Sequence, residues 1–184
     1  MKISKTNISG LLIVEPQVFR DDRGLFLETY QKERYAQLPL SGGFVQDNHS
    51  RSAPGVLRGL HFQVKQPQTQ VVYVSHGSIF DVVVDVRFGS PTFGKWFGIE
   101  LNGEEPKQLF MAPGLAHGFC VLEGSANVHY KVTEFYRPDD EGGLRWSDPD
   151  IGIVWPVSNP RLSPRDAEYP LLKDIPKSGL PIFK

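Results

Sequence analysis

Between Gln70 and Phe88 the chain sets two β-branched runs on either side of one glycine-bearing link. Val71-Val72-Tyr73-Val74 leads into Ser75-His76-Gly77-Ser78. Ile79-Phe80-Asp81-Val82-Val83-Val84-Asp85-Val86-Arg87-Phe88 follows. β-Branched side chains lose rotamer freedom in a helix and pack well on a pleated surface, so both runs are predicted as strands. The short link predicts a hairpin between them. In the second run Phe80, Val82, Val84, Val86 and Phe88 share one face, and Ile79, Asp81, Val83, Asp85 and Arg87 share the other. One face is core; the other admits carboxylates, as the wall of a barrel with a polar interior would.

The same pattern recurs along the chain. Further strands are predicted at Leu11–Val14, Leu25–Tyr30, Phe44–His49, Val56–Phe62, Trp96–Leu101, Gln108–Met111, His117–Leu122 and Ala126–Tyr136. Turn signals divide them at Asp22-Arg23-Gly24, Ser41-Gly42-Gly43, Gly89-Ser90-Pro91, Asn102-Gly103 and Pro113-Gly114. With 18 Gly and 15 Pro in 184 residues, long helices have little room. Lys32–Leu38 is one short helix candidate. Ser163-Pro164-Arg165-Asp166 is another, with a capping Ser, Pro at the first helical position and an acid in the first turn. The expected fold is all-β, a sandwich or small barrel in one domain over residues 1–184, with the Pro-rich tail from Ile151 wrapped around its outside.

Charge and cysteine content narrow the function. Lys and Arg number 20 against 21 Asp and Glu, so no excess positive field collects nucleic acid or an anionic membrane surface. No run approaches the roughly 18–20 apolar residues of a membrane span, and the first residues lack a signal-peptide core. Cys120 is the one cysteine. No internal disulfide can form, and a reducing, cytoplasmic setting is expected.

Several polar residues interrupt the apolar pattern. His61 sits in Arg58-Gly59-Leu60-His61-Phe62-Gln63, where strand alternation groups it with Gly59 and Gln63 and turns Arg58 to the other face. Arg58 joins His61 in one pocket only if a bulge at Gly59 breaks the alternation. A lone strand histidine is more often a hydrogen-bonded core residue than a catalyst. Tyr130, Val132, Glu134 and Tyr136 share a face, and strand tyrosines are commonly packing residues. Asp166 reads equally as the first-turn acid of its helix, and Asp139-Asp140-Glu141 as a solvated loop. His49 and His129 have no partner pattern, and His76 falls in a turn.

Ala112-Pro113-Gly114-Leu115-Ala116-His117-Gly118-Phe119 sets His117 at a strand start after a tight turn, and resembles the second signature of the cupin superfamily. The first signature needs a His-x-His pair with a following Glu. Here His61-Phe62-Gln63 supplies neither, so three protein ligands are hard to assemble and no metal is expected.

Taken in order, a larger set emerges: Asp47-Asn48-His49-Ser50-Arg51-Ser52, Gly55-Val56-Leu57-Arg58-Gly59-Leu60-His61-Phe62-Gln63, Phe80–Arg87, Gly89–Gly94, Pro113–Phe119, Tyr130-Lys131 and Leu162-Ser163-Pro164-Arg165-Asp166. From about Glu15 to Leu172 the chain strongly resembles the dTDP-4-dehydrorhamnose 3,5-epimerase family, cupin-like jelly-roll enzymes that use neither metal nor other cofactor. The resemblance implies an isomerase acting on a nucleotide-diphosphate 4-keto-6-deoxyhexose in deoxysugar or surface-polysaccharide synthesis. It implies catalytic roles for His61 as base, Asp166 as its carboxylate partner and Tyr130 as the opposing acid, with Asp81 and His117 as polar supports around the sugar. Contacts to base, ribose or diphosphate are implied for Arg23, Glu28, Gln46, Asn48, Arg58, Glu141 and Arg165, and stacking on the pyrimidine for Tyr136. Gln70 stands where the family usually has a lysine beside the sugar ketone. The resemblance also implies a homodimer whose N-terminal strand region, with Arg23 and Glu28, crosses to the partner's site. Inversion at C3, at C5 or at both, on dTDP or another nucleotide such as CDP, stays open here. So do a related 3,4-keto-isomerase and a non-catalytic nucleotide-sugar-binding barrel.

Overall fold

A computed structural model describes residues 1–40 and 42–183; Ser41 of the predicted Ser41-Gly42-Gly43 turn lies outside the described residues. One antiparallel sheet is built from β1 (Lys2–Lys5), β2 (Leu11–Glu15), β5 (Gln46–Ser52), β7 (Gln70–His76), β10 (Gln108–Met111) and β12 (Ala126–Val132). Their order is β1-β2-β10-β7-β12-β5. The other holds β6 (Leu57–Gln63), β8 (Ser78–Asp85), β9 (Trp96–Asn102), β11 (Leu115–Val121) and β13 (Glu141–Gly143), in the order β13-β6-β11-β8-β9. A separate hairpin of β3 (Val18–Asp21) and β4 (Gly24–Leu27) joins neither sheet.

From β5 to β12 the chain passes repeatedly from one sheet to the other. The neighbour relations β5-β12-β7-β10 facing β6-β11-β8-β9 are those of a jelly roll, eight strands in two Greek keys. The all-β, cupin-like expectation holds.

The predicted hairpin over Gln70–Phe88 does not. β7 pairs with β10 and β12, whereas β8 pairs with β11 and β9, so Gly77 is a corner between sheets and not the tip of a ribbon. Its φ of +74° is a conformation glycine adopts at low cost, and a β-carbon there would lie 2.2 Å from the Ser125 carbonyl oxygen. The reason for the crossing is burial. Val72 and Val74 of β7 meet Ile79 and Val83 of β8 face to face between the sheets, with Phe119, Val128 and Met111. A flat hairpin would have left one of these apolar rows without a partner. The hairpin that does form is β8–β9, closing Val84 against Trp96.

The other face of β8 is equally apolar because the tail covers it. Val82, Val84 and Val86 pack with Leu144, Ile151, Leu172 and Leu180, so residues of the segment from Ile151 lie against the outside of the five-stranded sheet. Asp85, at the end of that strand, forms a buried pair with Arg87 just beyond it (2.7 Å), with Ser90 and Thr92 hydroxyls donating to the carboxylate. On the far side of the molecule Tyr35 and Leu38, around the short helix α1 (Lys32–Tyr35), cover Val14, Val71 and Phe110. The predicted helix Lys32–Leu38 therefore shortens to one turn. The predicted strand Ala126–Tyr136 also stops early, at Val132, and His76 ends β7 instead of sitting in a turn.

Candidate active site

The interior between the sheets opens at one end into a cavity of about 410 Å³, within the usual range for a small-molecule site. His61 enters it from β6 and His117 from β11, directly opposite each other in the ladder. Tyr130 enters from β12 in the other sheet, beside its cross-strand partner Asn48 on β5. Imidazole and phenol thus come from facing walls.

Arg58 lines the same cavity, because the β6–β11 register slips between His117 and Phe119: three steps on β6 from Arg58 to His61 span two on β11. That is a bulge, and Gly59 is its centre, at φ +102°. A β-carbon on Gly59 would sit 2.6 Å from both the Gly118 Cα and the His117 carbonyl oxygen. The alternation that groups Gly59 with His61 is broken there, and Arg58 joins His61 in lining the cavity.

Asp166 comes from the tail. Backbone bonds Leu57 N–H to Arg161 O and Arg161 N–H to Gly55 O tie the tail alongside the start of β6. The helix α2 (Pro164–Glu168) then begins at once, capped by the Ser163 hydroxyl accepting from the Asp166 N–H. This delivers the Asp166 carboxylate to 2.6 Å from His61 Nε2, across 105 residues of sequence. Burial by itself would raise the Asp166 carboxyl, but hydrogen bonds and charge from His61, the Ser163 hydroxyl and the Gly59 N–H outweigh it and hold the pKa below its ordinary value. An ionised carboxylate only accepts, so the ring nitrogen facing it, Nε2, carries a proton, and the neutral tautomer this selects has its lone pair on the other nitrogen. Glu141 Oε1 lies 3.6 Å from that second nitrogen, Nδ1.

His117 is anchored the same way. Its Nε2 is 2.9 Å from Asp81 Oδ2, a diagonal contact across the β8–β11 ladder. Asp81 is fully buried and its Oδ1 has no partner among the described residues; burial pushes its pKa up, partly offset by His117. Tyr130 is also pushed up by burial, with Arg58 pulling down and Glu141 pushing up. It is a neutral phenol at neutral pH.

At the cavity's mouth Glu141 gathers three groups. It accepts from Arg165 Nη1 at 2.8 Å and from the Tyr136 hydroxyl at 2.5 Å, while its other oxygen faces His61. Tyr136 stands past the end of β12, half-exposed at the rim; its backbone N–H donates to Gln46 Oε1, and Gln46 Nε2 donates to Asn48 Oδ1. Gln70 lines the wall at the start of β7. Gln63 and Gln68 also line it, linked by a 2.9 Å bond. Sequence reasoning left Gln63 and Gln68 out as site residues, and only the alternation that put Gln63 on the His61 face pointed toward them. Arg23 and Glu28 do not reach this cavity: Arg23 pairs with Asp21 in the β3–β4 hairpin, and Glu28 with Arg34. His129, which showed no partner pattern, stacks between His49 and Tyr73 and meets Ser75 Oγ at 2.7 Å, away from the site. Among the described residues no three of His, Cys, Asp and Glu group as ligands to one metal ion. No helix among them is long and apolar enough to cross a membrane.

A jelly roll with a carboxylate-backed imidazole on one wall and a neutral phenol on the other is a cupin-like barrel whose cavity holds the groups that acid–base chemistry requires. The family model for dTDP-4-dehydrorhamnose 3,5-epimerase matches residues 5–174. The chain is 45% identical over 175 residues to the dTDP-4-dehydrorhamnose 3,5-epimerase of Methanothermobacter thermautotrophicus, covering 94% of this chain and 95% of that one. To the enzyme of the same name from Shigella flexneri it is 48% identical over 168 residues, covering 90% and 93%. The crystal structure of a dTDP-6-deoxy-D-glucose-3,5-epimerase from Legionella pneumophila, in complex with dTDP-4-keto-L-rhamnose, superposes with a TM-score of 0.96 at 45% identity, over 100% of this chain and 98% of that one. The chain belongs to the dTDP-4-dehydrorhamnose 3,5-epimerase family, a family of isomerases. Of the three readings open to the sequence, the comparisons favour the epimerase.

Proposed function

We propose that this protein inverts C3 and C5 of a dTDP-linked 4-keto-6-deoxyhexose, with His61, Asp166 and Tyr130 as its catalytic residues. The observation that carries the proposal is the 2.6 Å His61–Asp166 pair on one wall of a cavity whose facing wall presents Tyr130. Carbons 3 and 5 both flank the C4 ketone, so each carries an acidified C–H. The His61 lone pair takes that proton, the C–H electrons move into the ring, and the ketone oxygen becomes an enolate. Asp166 keeps the imidazole in the right tautomer and stabilises the imidazolium that forms. Tyr130 then protonates the same carbon from the opposite face. Its phenolate regains a proton from solvent and His61 releases one, so the cycle closes with no net change in protons.

Polar side chains near the sugar supply hydrogen bonds to the developing enolate; His117, held by Asp81, and Gln70, both lining the cavity, suit this role. Toward the mouth, Arg58 and Arg165 suit the diphosphate, since a guanidinium fork binds two oxygens at once. Gln46, Asn48 and Glu141 suit the nucleoside, and the exposed ring of Tyr136 suits stacking on the pyrimidine. The working form on this proposal is a cytoplasmic homodimer. The β3–β4 hairpin belongs to neither sheet and exposes Phe19 and Phe26, which favours its docking on a second subunit and would bring Arg23 and Glu28 to that subunit's site.

Incubation of the enzyme with dTDP-4-keto-6-deoxyglucose in heavy water tests the reaction by proton NMR. Loss of proton signal at both C3 and C5, with an L-configured product, is expected. Binding without label at either carbon would refute it.

A further inference from the structure

His61 has a neighbour that neither lines the cavity nor shares its strand. The Tyr169 ring, just past α2, meets the His61 ring edge to face, 5.6 Å between centroids at 66°. The space for it exists because of a glycine. Gly143 is the residue paired with His61 in the β13–β6 ladder, and a β-carbon there would fall 2.2 Å from Tyr169 ring carbons. Any other residue at 143 would therefore displace the ring. The Tyr169 backbone is held by Arg145, whose Nε donates to the Tyr169 carbonyl at 3.0 Å and whose N–H donates to the Pro170 carbonyl. The Arg165 guanidinium also lies over the ring, 5.7 Å from its centroid.

The hydroxyl adds nothing to this arrangement. It is buried and has no hydrogen-bond partner among the described residues. Burial, with Glu141 adding to it, pushes the phenol up to about 12, so it stays neutral and holds no charge over the histidine. What remains is an aromatic ring packed against the imidazole at a steep angle, while Asp166 holds its Nε2. Two constraints in different directions set both the tilt of a ring and its position along the strand, which one hydrogen bond does not.

We infer that Tyr169, seated in the slot that Gly143 leaves open, is a positioning residue that holds the His61 ring in its reactive orientation and keeps water off that side of the His61–Asp166 pair. The inference rests on the reading of His61 as the base. It acts through the ring and not the hydroxyl.

The test is a mutant cycle at 143 and 169, read as kcat, KM and deuterium uptake per folded protein. Tyr169→Phe should keep wild-type kcat. Tyr169→Ala should lower kcat by about ten- to a hundredfold with KM changed less than about twofold. Gly143→Ala should give a similar loss, because it expels the ring. The double variant should be no worse than Tyr169→Ala alone, since the added methyl then has nothing to displace. Should Tyr169→Ala not fold, Tyr169→Leu, which fills the slot without an aromatic ring, carries the same expectation. Unchanged kcat in Tyr169→Ala or Tyr169→Leu overturns the inference, as does a Tyr169→Phe loss equal to that of Tyr169→Ala. Additive losses at 143 and 169 overturn it too. His61→Asn run in parallel separates the two levels: deuterium uptake persisting there refutes the base itself, whereas an inert His61→Asn beside a fully active Tyr169→Ala refutes only the role of Tyr169.

Discussion

Arg58 and His61, three residues apart on one strand, face the same cavity. Regular alternation would put them on opposite sides of the sheet. The bulge at Gly59 brings a guanidinium suited to a diphosphate into the same cavity as the proposed base, and it depends on close backbone approach to Gly118.

Gly59→Ala should therefore harm both stability and function. The backbone conformation at φ +102° is strained for any L side chain, and the new methyl meets backbone atoms that cannot swing away. A loss of at least about 2 kcal/mol in chemical denaturation is expected. Gly55→Ala serves as the control, because a β-carbon there meets nothing within 4 Å; it should cost less despite its own positive φ.

Asp166→Asn should lower kcat by about 10²- to 10⁴-fold, because an amide no longer dictates which imidazole nitrogen is protonated. It should also change the pH profile of stability. The folded-state pKa of Asp166 is depressed below the ordinary 3.8, so its contribution is present above that value and disappears as pH falls through the lower, folded value. Urea midpoints should show the wild type losing this increment in strong acid while Asp166→Asn does not. Parallel curves for the two proteins would contradict the pairing.

Asp85 is the corresponding structural test. Its carboxylate is buried with Arg87 and takes hydroxyl bonds from Ser90 and Thr92, which hold its pKa down in spite of burial. Asp85→Ala leaves the Arg87 charge without that partner and should cost about 3–5 kcal/mol. Since neither residue lines the cavity, kcat per folded molecule should stay near wild type. A kcat loss larger than the loss of folded protein would place this pair in the site.

Gln70→Lys should raise kcat by about ten- to a hundredfold, because a cation beside the ketone stabilises an enolate by about 1–3 kcal/mol more than a neutral amide does. Steady-state kinetics on the 4-keto substrate check this. A slower Gln70→Lys enzyme would mean that the neutral wall formed with Gln63 and Gln68 is itself required.

Most of the strands were legible because period-2 alternation reports burial directly. Sheet membership was not. The run through Gly77 looks like a hairpin locally, and only the demand that Val72, Val74, Ile79 and Val83 bury one another across the core sends the two strands to different sheets. The helix at Ser163 was readable from its cap and proline, yet nothing local to Asp166 shows that it meets His61; the backbone bonds of Arg161 make that contact. The ordered motifs pointed to the reaction. Tyr169 escaped notice because its importance lies in the absence of a side chain at Gly143, a residue remote in sequence.

The most direct test of the two-walled site uses Tyr130→Phe in heavy water with position-resolved NMR of the recovered sugar. If His61 removes the proton and Tyr130 returns it from the other face, the variant should still exchange deuterium into C3 or C5 but with retained configuration, and epimeric product should fall by at least about a hundredfold. Inversion at the wild-type rate in Tyr130→Phe would contradict the account.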